Sequence, residues 1–545
     1  MAHRDQTDDP AIDLDPSQTY RTRRELRVQA EELLRAKSGR ISNARVAVFL
    51  LGFTGFILAL VETGLPNTVS TGLMAGAALV FLLLVVVHER VERACARAHE
   101  AVVHYERGLA RIADPRVDKG AIATDFVGPE HPYAADLDLF GPGSMFALLC
   151  TARSRAGQNI LASWLAAPAT LDALEVRHRA IAGLRQNLDL REDLDLLGGP
   201  VGALVDPMHL TTWGEGPALF NGTRTLRVLL WALTIAALTT FFLWVVDNPL
   251  VDLGPFPFLG TVAGGGLVYR RHGDALSKLT APLAGITREL TVLQALLARV
   301  EQEPPATPRL RALSEALTTA ALPASRQIAK LRRLVAWYES RNNAILAPVL
   351  YVVMWPLHFA VAIEAWRRSA GPALTRWLTA LGEYEALCAL SGYAYEHPQD
   401  PLPELTDEGP VLEGTEVGHP LLPESACICN NVALDPAAAV RIVSGSNMSG
   451  KSTYLRSVGL NVVLALAGAP VRAQRLRLSP LSVGATLRVE DSLREGASRF
   501  YAELTRLRTL VDLSRGQPPL LFLLDEIFHG TNSHDRQLGA KGLID

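Results

Sequence analysis

Hydrophobic positions are unevenly spread along this chain. Val46–Val61 and Val69–Val87 are nearly uncharged runs separated by a short turn holding Glu62, Gly64 and Pro66. Val228–Val246 and Val251–Tyr269 form a second pair around Asp247, Asn248 and Pro249. A helix of about 20 apolar residues crosses the ~30 Å hydrocarbon core of a bilayer, so both pairs are expected to be transmembrane helical hairpins. The fourth run is the loosest, because Pro255, Pro257 and the glycines at 264–266 interrupt it. Farther along, Val-Arg-Ile-Val-Ser at 440–444 predicts a short strand, Tyr454–Leu466 a helix, and Leu520–Leu524 a buried parallel strand.

Charge placement sharpens the membrane reading. Arg35, Lys37, Arg40 and Arg45 precede the first run, and Arg90, Arg93 and Arg97 follow the second; Arg224 and Arg227 precede the third, and Arg270 and Arg271 follow the fourth. Neither turn holds a Lys or Arg. Positive residues collect on the cytoplasmic side, which predicts a multi-pass cell (inner or plasma) membrane protein whose large segments are all cytoplasmic. Two buried hairpins of a soluble core are the alternative. Hydrophobic residues make up 49% of the chain against 20% charged, a balance that favours the membrane.

Net charge is −3 and the pI is about 6.5, so no overall basic footprint points to nucleic acid. Arg21, Arg23, Arg24 and Arg27 form a local cluster suited to anionic lipid headgroups. Arg472, Arg475 and Arg477 read as a solvated face. The first 20 residues read as a disordered tail with no apolar export signal. Cys95, Cys150, Cys388, Cys427 and Cys429 are scattered, and the Cys-x-Cys pair does not have zinc spacing. Reduced thiols, with the pair on a strand, and no zinc are expected.

The candidate chemistry lies near the C-terminus. Gly445-Ser446-Asn447-Met448-Ser449-Gly450-Lys451-Ser452-Thr453 has the form of a phosphate-binding loop. Its glycines let backbone N–H groups and a helix N-terminus face phosphates, Lys451 reaches them, and Ser452 offers a hydroxyl to Mg²⁺. Leu520–Leu524 then ends in Asp525, the metal carboxylate, and Glu526, which would orient or deprotonate water. ATP and Mg²⁺ are the expected cofactors. A fifth apolar run, Ile345–Ile363, would make the crossings odd and place this site outside, so it is read as a buried helix of the core.

The surrounding residues resemble the MutS mismatch-repair ATPases. Ser444–Arg456 is similar to that family's loop, Asp525–Asp535 to its acidic strand and Gly-Thr loop, and Pro470–Gln474 to its glutamine loop, with Gln474 the named residue. Asp491–Glu503 resembles its signature helix, in which Ser498 would approach the γ-phosphate held by a second subunit's loop. His419-Pro420 stands where the family has a His-Pro pair, either a nucleotide contact or a turn. Upstream, Leu139–Leu149, Gly157, Trp164–Pro168 and Arg179–Arg185 look like the start of its helical core, and helices from about 275 to 395 like its levers.

The resemblance implies a homodimer through the ATPase domains and action on mismatched or branched DNA. The second hairpin occupies the place of the family's DNA clamp, and no Phe-x-Glu wedge occurs among the 16 phenylalanines, so direct mismatch reading is not expected. Phe528-His529 replaces the Gly-Arg of mismatch-repair members. The family's switch histidine, last strands and dimerisation helices would fall beyond Asp545, so the chain is read as truncated and hydrolysis stays open.

The expected organisation is a basic, disordered tail (1–44), a first hairpin (45–88), helical core (89–226), a second hairpin (227–270), core and lever (271–397), a linker (398–423) and a P-loop α/β domain of ABC type (424–545). Two other functions stay open. A transporter component would need a Leu-Ser-Gly-Gly-Gln signature, which 511–519 imitates poorly, and an ATP-driven membrane scaffold would have no DNA role.

Overall fold

The computed structural model describes residues 15–60, 67–116, 126–128, 130–198, 207–220, 222–246, 254–319, 322–446, 449–487, 499–528 and 533–544. The chain divides into two compact units, Met1–Asp118 and Lys119–Asp545.

The first unit is an antiparallel pair, α1 (Pro16–Leu60) and α2 (Asn67–Ala113). At ~1.5 Å per residue each helix is about 70 Å long, roughly twice a bilayer core. Their apolar ends pack closely where glycines allow it: Gly52 lies against Ala77 and Gly55 against Leu73. Phe49, Phe53, Leu60, Leu79, Leu82 and Leu83 point outward and are exposed. The other ends are polar and zipped by specific pairs. Arg24 meets Glu106 at 2.7 Å, Arg23 donates to the Tyr105 hydroxyl at 3.2 Å, and His99 lies 3.2 Å from Glu31. Two expectations change here. Helix begins at Pro16, inside the stretch read as tail, and residues 89–113 prolong the hairpin instead of opening the core.

Among the described residues the second unit is mainly helical up to residue 396. Its helices are α3 (Met145–Leu149), α4 (Arg155–Ala166), α5 (Leu171–Leu184), α6 (Leu188–Gly198), α7 (Pro207–Glu215), α8 (Thr223–Val245), α9 (Phe256–Thr280), α10 (Thr287–Gln302) and α11 (Pro308–Ala316). After a two-residue ladder, β1 (Thr318–Thr319) with β2 (Leu322–Pro323), come α12 (Ala324–Glu339), α13 (Ala347–Val352), α14 (Trp355–Ala370) and α15 (Leu374–Glu396). Side-chain caps start several of them, with Ser144, Ser154, Thr170 and Thr307 each accepting an N–H of the first turn. Helix α15 is the axis of the core: from Tyr384 to Glu396 every residue is buried.

Helices α8 and α9 lie antiparallel, Phe241 beside Phe258 at 5.4 Å. Helix α8 joins α1 and α2 as the described helices long and apolar enough to cross a membrane; α9 is not among them, since its apolar part ends near Tyr269 and the glycines at 264–266 dilute it. The 345–363 run is not one buried helix. It breaks at Met354, whose φ is +51°, and Pro356 in the first turn of α14 cannot supply an N–H to continue α13. Only the part after the break is buried.

Among the described residues the C-terminal part holds two sheets. Strands β3 (Glu404–Leu405), β4 (Leu412–Val417), β5 (Asn430–Leu434) and β6 (Arg475–Leu478) form one in the order β3-β6-β4-β5. The stretch read as a linker, 398–423, thus contributes two of its strands, and Cys427 and Cys429 precede β5 instead of lying on a strand. Between β5 and β6 runs α16 (Lys451–Ala467). Strand β7 (Ser482–Thr486) pairs in parallel with β8 (Leu520–Leu524), followed by α18 (Ser533–Ile544); α17 (Arg499–Ser514) lies between the two strands in sequence.

The strand expected at 440–444 does not form. Ile442 is 83% exposed, and the segment makes no ladder. Its Val440 and Val443 instead line an apolar cleft of about 170 Å³ against Leu521 and Leu523 of β8. A strand needs both ladder bonds and face burial; here the cleft separates the segment from β8. For the same reason β8 is only partly buried, with Phe522 exposed.

Candidate functional site

The glycine-rich loop delivers its residues to the N-terminus of α16. Gly450 sits just before the helix at φ +88°, a conformation only glycine adopts without strain. From there Tyr454 N–H donates to the Gly450 carbonyl at 2.9 Å, fixing the first turn. Lys451 Nζ folds over the loop and donates to the carbonyls of Gly445 and Ser446 at 2.9 and 3.0 Å. Ser449 N–H donates to Ser446 O at 3.2 Å. Asn447 and Met448 lie outside the described residues.

The two halves of the motif meet. The Ser452 hydroxyl donates to Asp525 Oδ2, although 73 positions separate them. Strand β8 carries Asp525 there, and Asp525 N–H in turn donates to Thr486 O of β7 at 3.0 Å. Glu526 follows at φ +47°. It is exposed, as are Ser452 and Thr453, while Lys451 and Asp525 are half-buried. A hydroxyl and a carboxylate in contact at the start of the helix that also carries Lys451 is an arrangement suited to a divalent cation and a phosphate chain.

Other expected residues fall elsewhere. Gln474 is exposed at the edge of β6, its N–H donating to Thr415 O at 3.0 Å. Ser498 and the Gly-Thr loop at 529–532 lie outside the described residues. Phe528, the bulky departure from the family pattern, is buried: its ring packs on Gly539 of α18, its N–H donates to Glu503 Oε1, and its carbonyl accepts from Arg536 at 3.1 Å.

His419 is mostly buried beside the Arg456–Asp138 pair. Burial, reinforced by the Arg456 charge and opposed by Asp138, pushes its pKa down to about 4. Its neutral Nδ1 accepts Leu421 N–H at 3.2 Å, a bond within the local turn.

Sequence reasoning missed the wiring behind the loop. Asn461, fully buried on α16, donates to Gly418 O at 2.8 Å and accepts Arg472 N–H at 2.6 Å. Arg472 pairs with Asp400 at 3.1 Å, and Asp400 accepts from the Tyr393 hydroxyl of α15 at 3.2 Å. The phosphate-loop helix is thus joined to the core's central helix by polar contacts. On the other flank Arg177 of α5 donates to Ala467 O at 2.8 Å. One signal was available, a lone Asn in the apolar run Val458–Ala467, since a buried amide needs partners.

Comparison with known proteins finds similarity in this part of the chain. Residues 441–542 match the family described as MutS domain V. A DNA mismatch repair protein MutS of Natronomonas pharaonis is 34% identical over 160 residues, 29% of this chain and 18% of that protein. The chain therefore covers under a fifth of that relative's length.

Proposed function

We propose, from the premise that this chain belongs to the MutS family through its domain V, that it is a membrane-anchored ATPase whose nucleotide cycle drives its helical core. Gly445–Thr453 would cradle the phosphates of ATP, and Ser452 with Asp525 would hold Mg²⁺. Glu526 would orient the attacking water. The single observation that carries this reading is the Ser452–Asp525 contact, which unites the loop and the acidic strand end in one place. Two such domains would pair, with Gln474 and Ser498 serving as the glutamine-loop and trans contacts. Closure would pass through Asn461, Arg472 and Asp400 to α15.

The two apolar helix pairs would anchor the protein in the cell membrane, with the core and nucleotide site cytoplasmic. Exposed apolar side chains along α1, α2 and α8 support this: in the most apolar stretch of each, 6%, 11% and 17% of residues are buried. Mismatched or branched DNA is the substrate that family membership suggests.

The test uses the full-length chain in detergent with a fluorescent ATP analogue and Mg²⁺, and with homoduplex, mismatched and branched DNA over a salt series. Saturable nucleotide binding that Lys451→Ala removes, and that Glu526→Gln retains while hydrolysis stops, is the expected result. No nucleotide binding would overturn the proposal. Nucleotide binding without DNA binding at low salt would keep the motor and assign it to a membrane task.

A further inference from the structure

Between α12 and α14 the chain makes an excursion that the core does not require. From Asn342 to Ile363 there is no Asp, Glu, Lys or Arg, and Ala344–Met354 holds no polar side chain but that of Tyr351. Such a segment would ordinarily be buried. Here Ile345 is 86% exposed, Val349 61%, and Leu346 and Tyr351 about half, and α13 has no buried residue.

Its neighbours say what surrounds it. The tip of the excursion is held between α8 and α9. The Thr234 hydroxyl of α8 donates to Val353 O at 3.2 Å and contacts His358 Nε2 at 3.0 Å. The Met354 side chain lies on Gly265, where an added Cβ would come within 3.0 Å of its Cε. Tyr351 meets Tyr269 edge-on at 5.7 Å. Gly265, one of the glycines that dilute α9, thus gives the Met354 side chain its place.

Depth follows from the same contacts. Arg227 on α8 and Arg270 on α9 mark the cytoplasmic ends of the apolar stretches. Thr234 is seven residues beyond Arg227 and Gly265 five before Arg270, ~10 and ~8 Å along the helix axes. Both place the tip about a third of the way into a ~30 Å core. Around the excursion Trp355 donates its indole N–H to Trp337 O at 2.7 Å, and Trp337 is exposed, as tryptophans at a membrane–water boundary are.

We propose that residues 343–356 form a re-entrant wedge. It enters the cytoplasmic leaflet beside α8 and α9, turns at Met354, and returns as α14, with Ile345, Leu346 and Val349 against lipid acyl chains. The apolar surface of α8 is continuous with it through the Thr234 and Gly265 contacts, so the same bilayer that covers one covers the other. The proposal rests on the membrane reading of α8 and α9. It adds a consequence: α14 leads into α15 through Gly371–Ala373, so motion of the central helix moves an element inserted in one leaflet.

The experiment places an environment-sensitive fluorophore on cysteines introduced at Ile345, at Leu238 of α8 and at exposed Ala437, in the full-length chain. Cys95, Cys427 and Cys429 are first changed to Ser and Cys150 to Ala. Each labelled protein is reconstituted in nanodiscs of phosphatidylethanolamine and phosphatidylglycerol with brominated acyl chains, after its nucleotide binding is checked. Quenching at positions 345 and 238 and none at 437 is expected. Quenching at 238 alone overturns the wedge and leaves the span standing; if 345 is then also shielded from aqueous iodide, a protein surface covers it. No quenching at either site removes the membrane reading and the wedge with it.

Discussion

At the scale of single residues the C-terminal part contains a histidine whose burial is a statement about pH. His419 has its pKa held near 4 by desolvation and by Arg456, against an ordinary value of about 6.5. The unfolded chain therefore binds a proton between those values and the folded chain does not. Stability from the neutral ring is complete above about pH 6.5 and is lost as pH falls toward 4. Urea midpoints of the detergent-solubilised chain should drop from pH 7 to pH 5. His419→Asn, which keeps an acceptor for Leu421 N–H, should flatten that slope. Equal slopes in the two proteins would show that another group titrates. The same scale shows where sequence stopped: the loop, Asp525 and Glu526 stand out by type and spacing. Asn461, Arg472 and Asp400 become a set only once α16 and α15 are side by side.

For elements, one carboxylate organises the start of the core. Glu385 of α15 is buried, accepts N–H bonds from Arg153 at 2.9 Å and Ser154 at 3.1 Å, and binds the Ser154 hydroxyl. It thereby ties the central helix to the N-terminus of α4. Burial raises its pKa against the lowering effect of these bonds. The folded state thus holds the proton more firmly, and stability from this group is lost as pH rises through the raised value. Glu385→Ala leaves two half-buried N–H groups without this acceptor and should cost about 1–3 kcal/mol, read as a lower denaturation midpoint. Glu385→Gln keeps an acceptor and should cost less; an alanine variant as stable as the parent would disprove the capping role.

Helices were legible because their apolar content is long and continuous. Two features were not. Residues 440–444 look like a strand by composition, yet a strand exists only where a neighbour supplies hydrogen bonds, which a linear sequence does not reveal. The 345–363 run looks like a single helix by hydropathy, yet Met354 and Pro356 split it, and burial differs on each side.

For the whole molecule, the proposed membrane anchoring poses the question of which side of a bilayer each part lies on. Charge supplies the expectation: Arg and Lys flank the outer ends of both apolar pairs, and the intervening turns have none. On the proposed reading, moving the Gly445–Thr453 loop across the membrane would separate it from ATP, so that reading requires an even number of crossings before α16. Helix α9 decides the count, because its apolar part is only ~21 Å long at 14 residues, Phe256–Tyr269. Its packing nevertheless brings Phe258 to Trp244, near the far end of α8. A pair that begins and ends together in this way crosses twice or not at all. Native Cys429 is exposed and reports the side of the C-terminal part, while Gly64→Cys and Asn248→Cys report the segments between the paired apolar runs. A membrane-impermeant maleimide should label Cys429 only in inside-out vesicles and the two introduced cysteines only in right-side-out ones. Should Asn248→Cys label with Cys429, α8 and α9 do not traverse the bilayer, and the first pair alone anchors the protein.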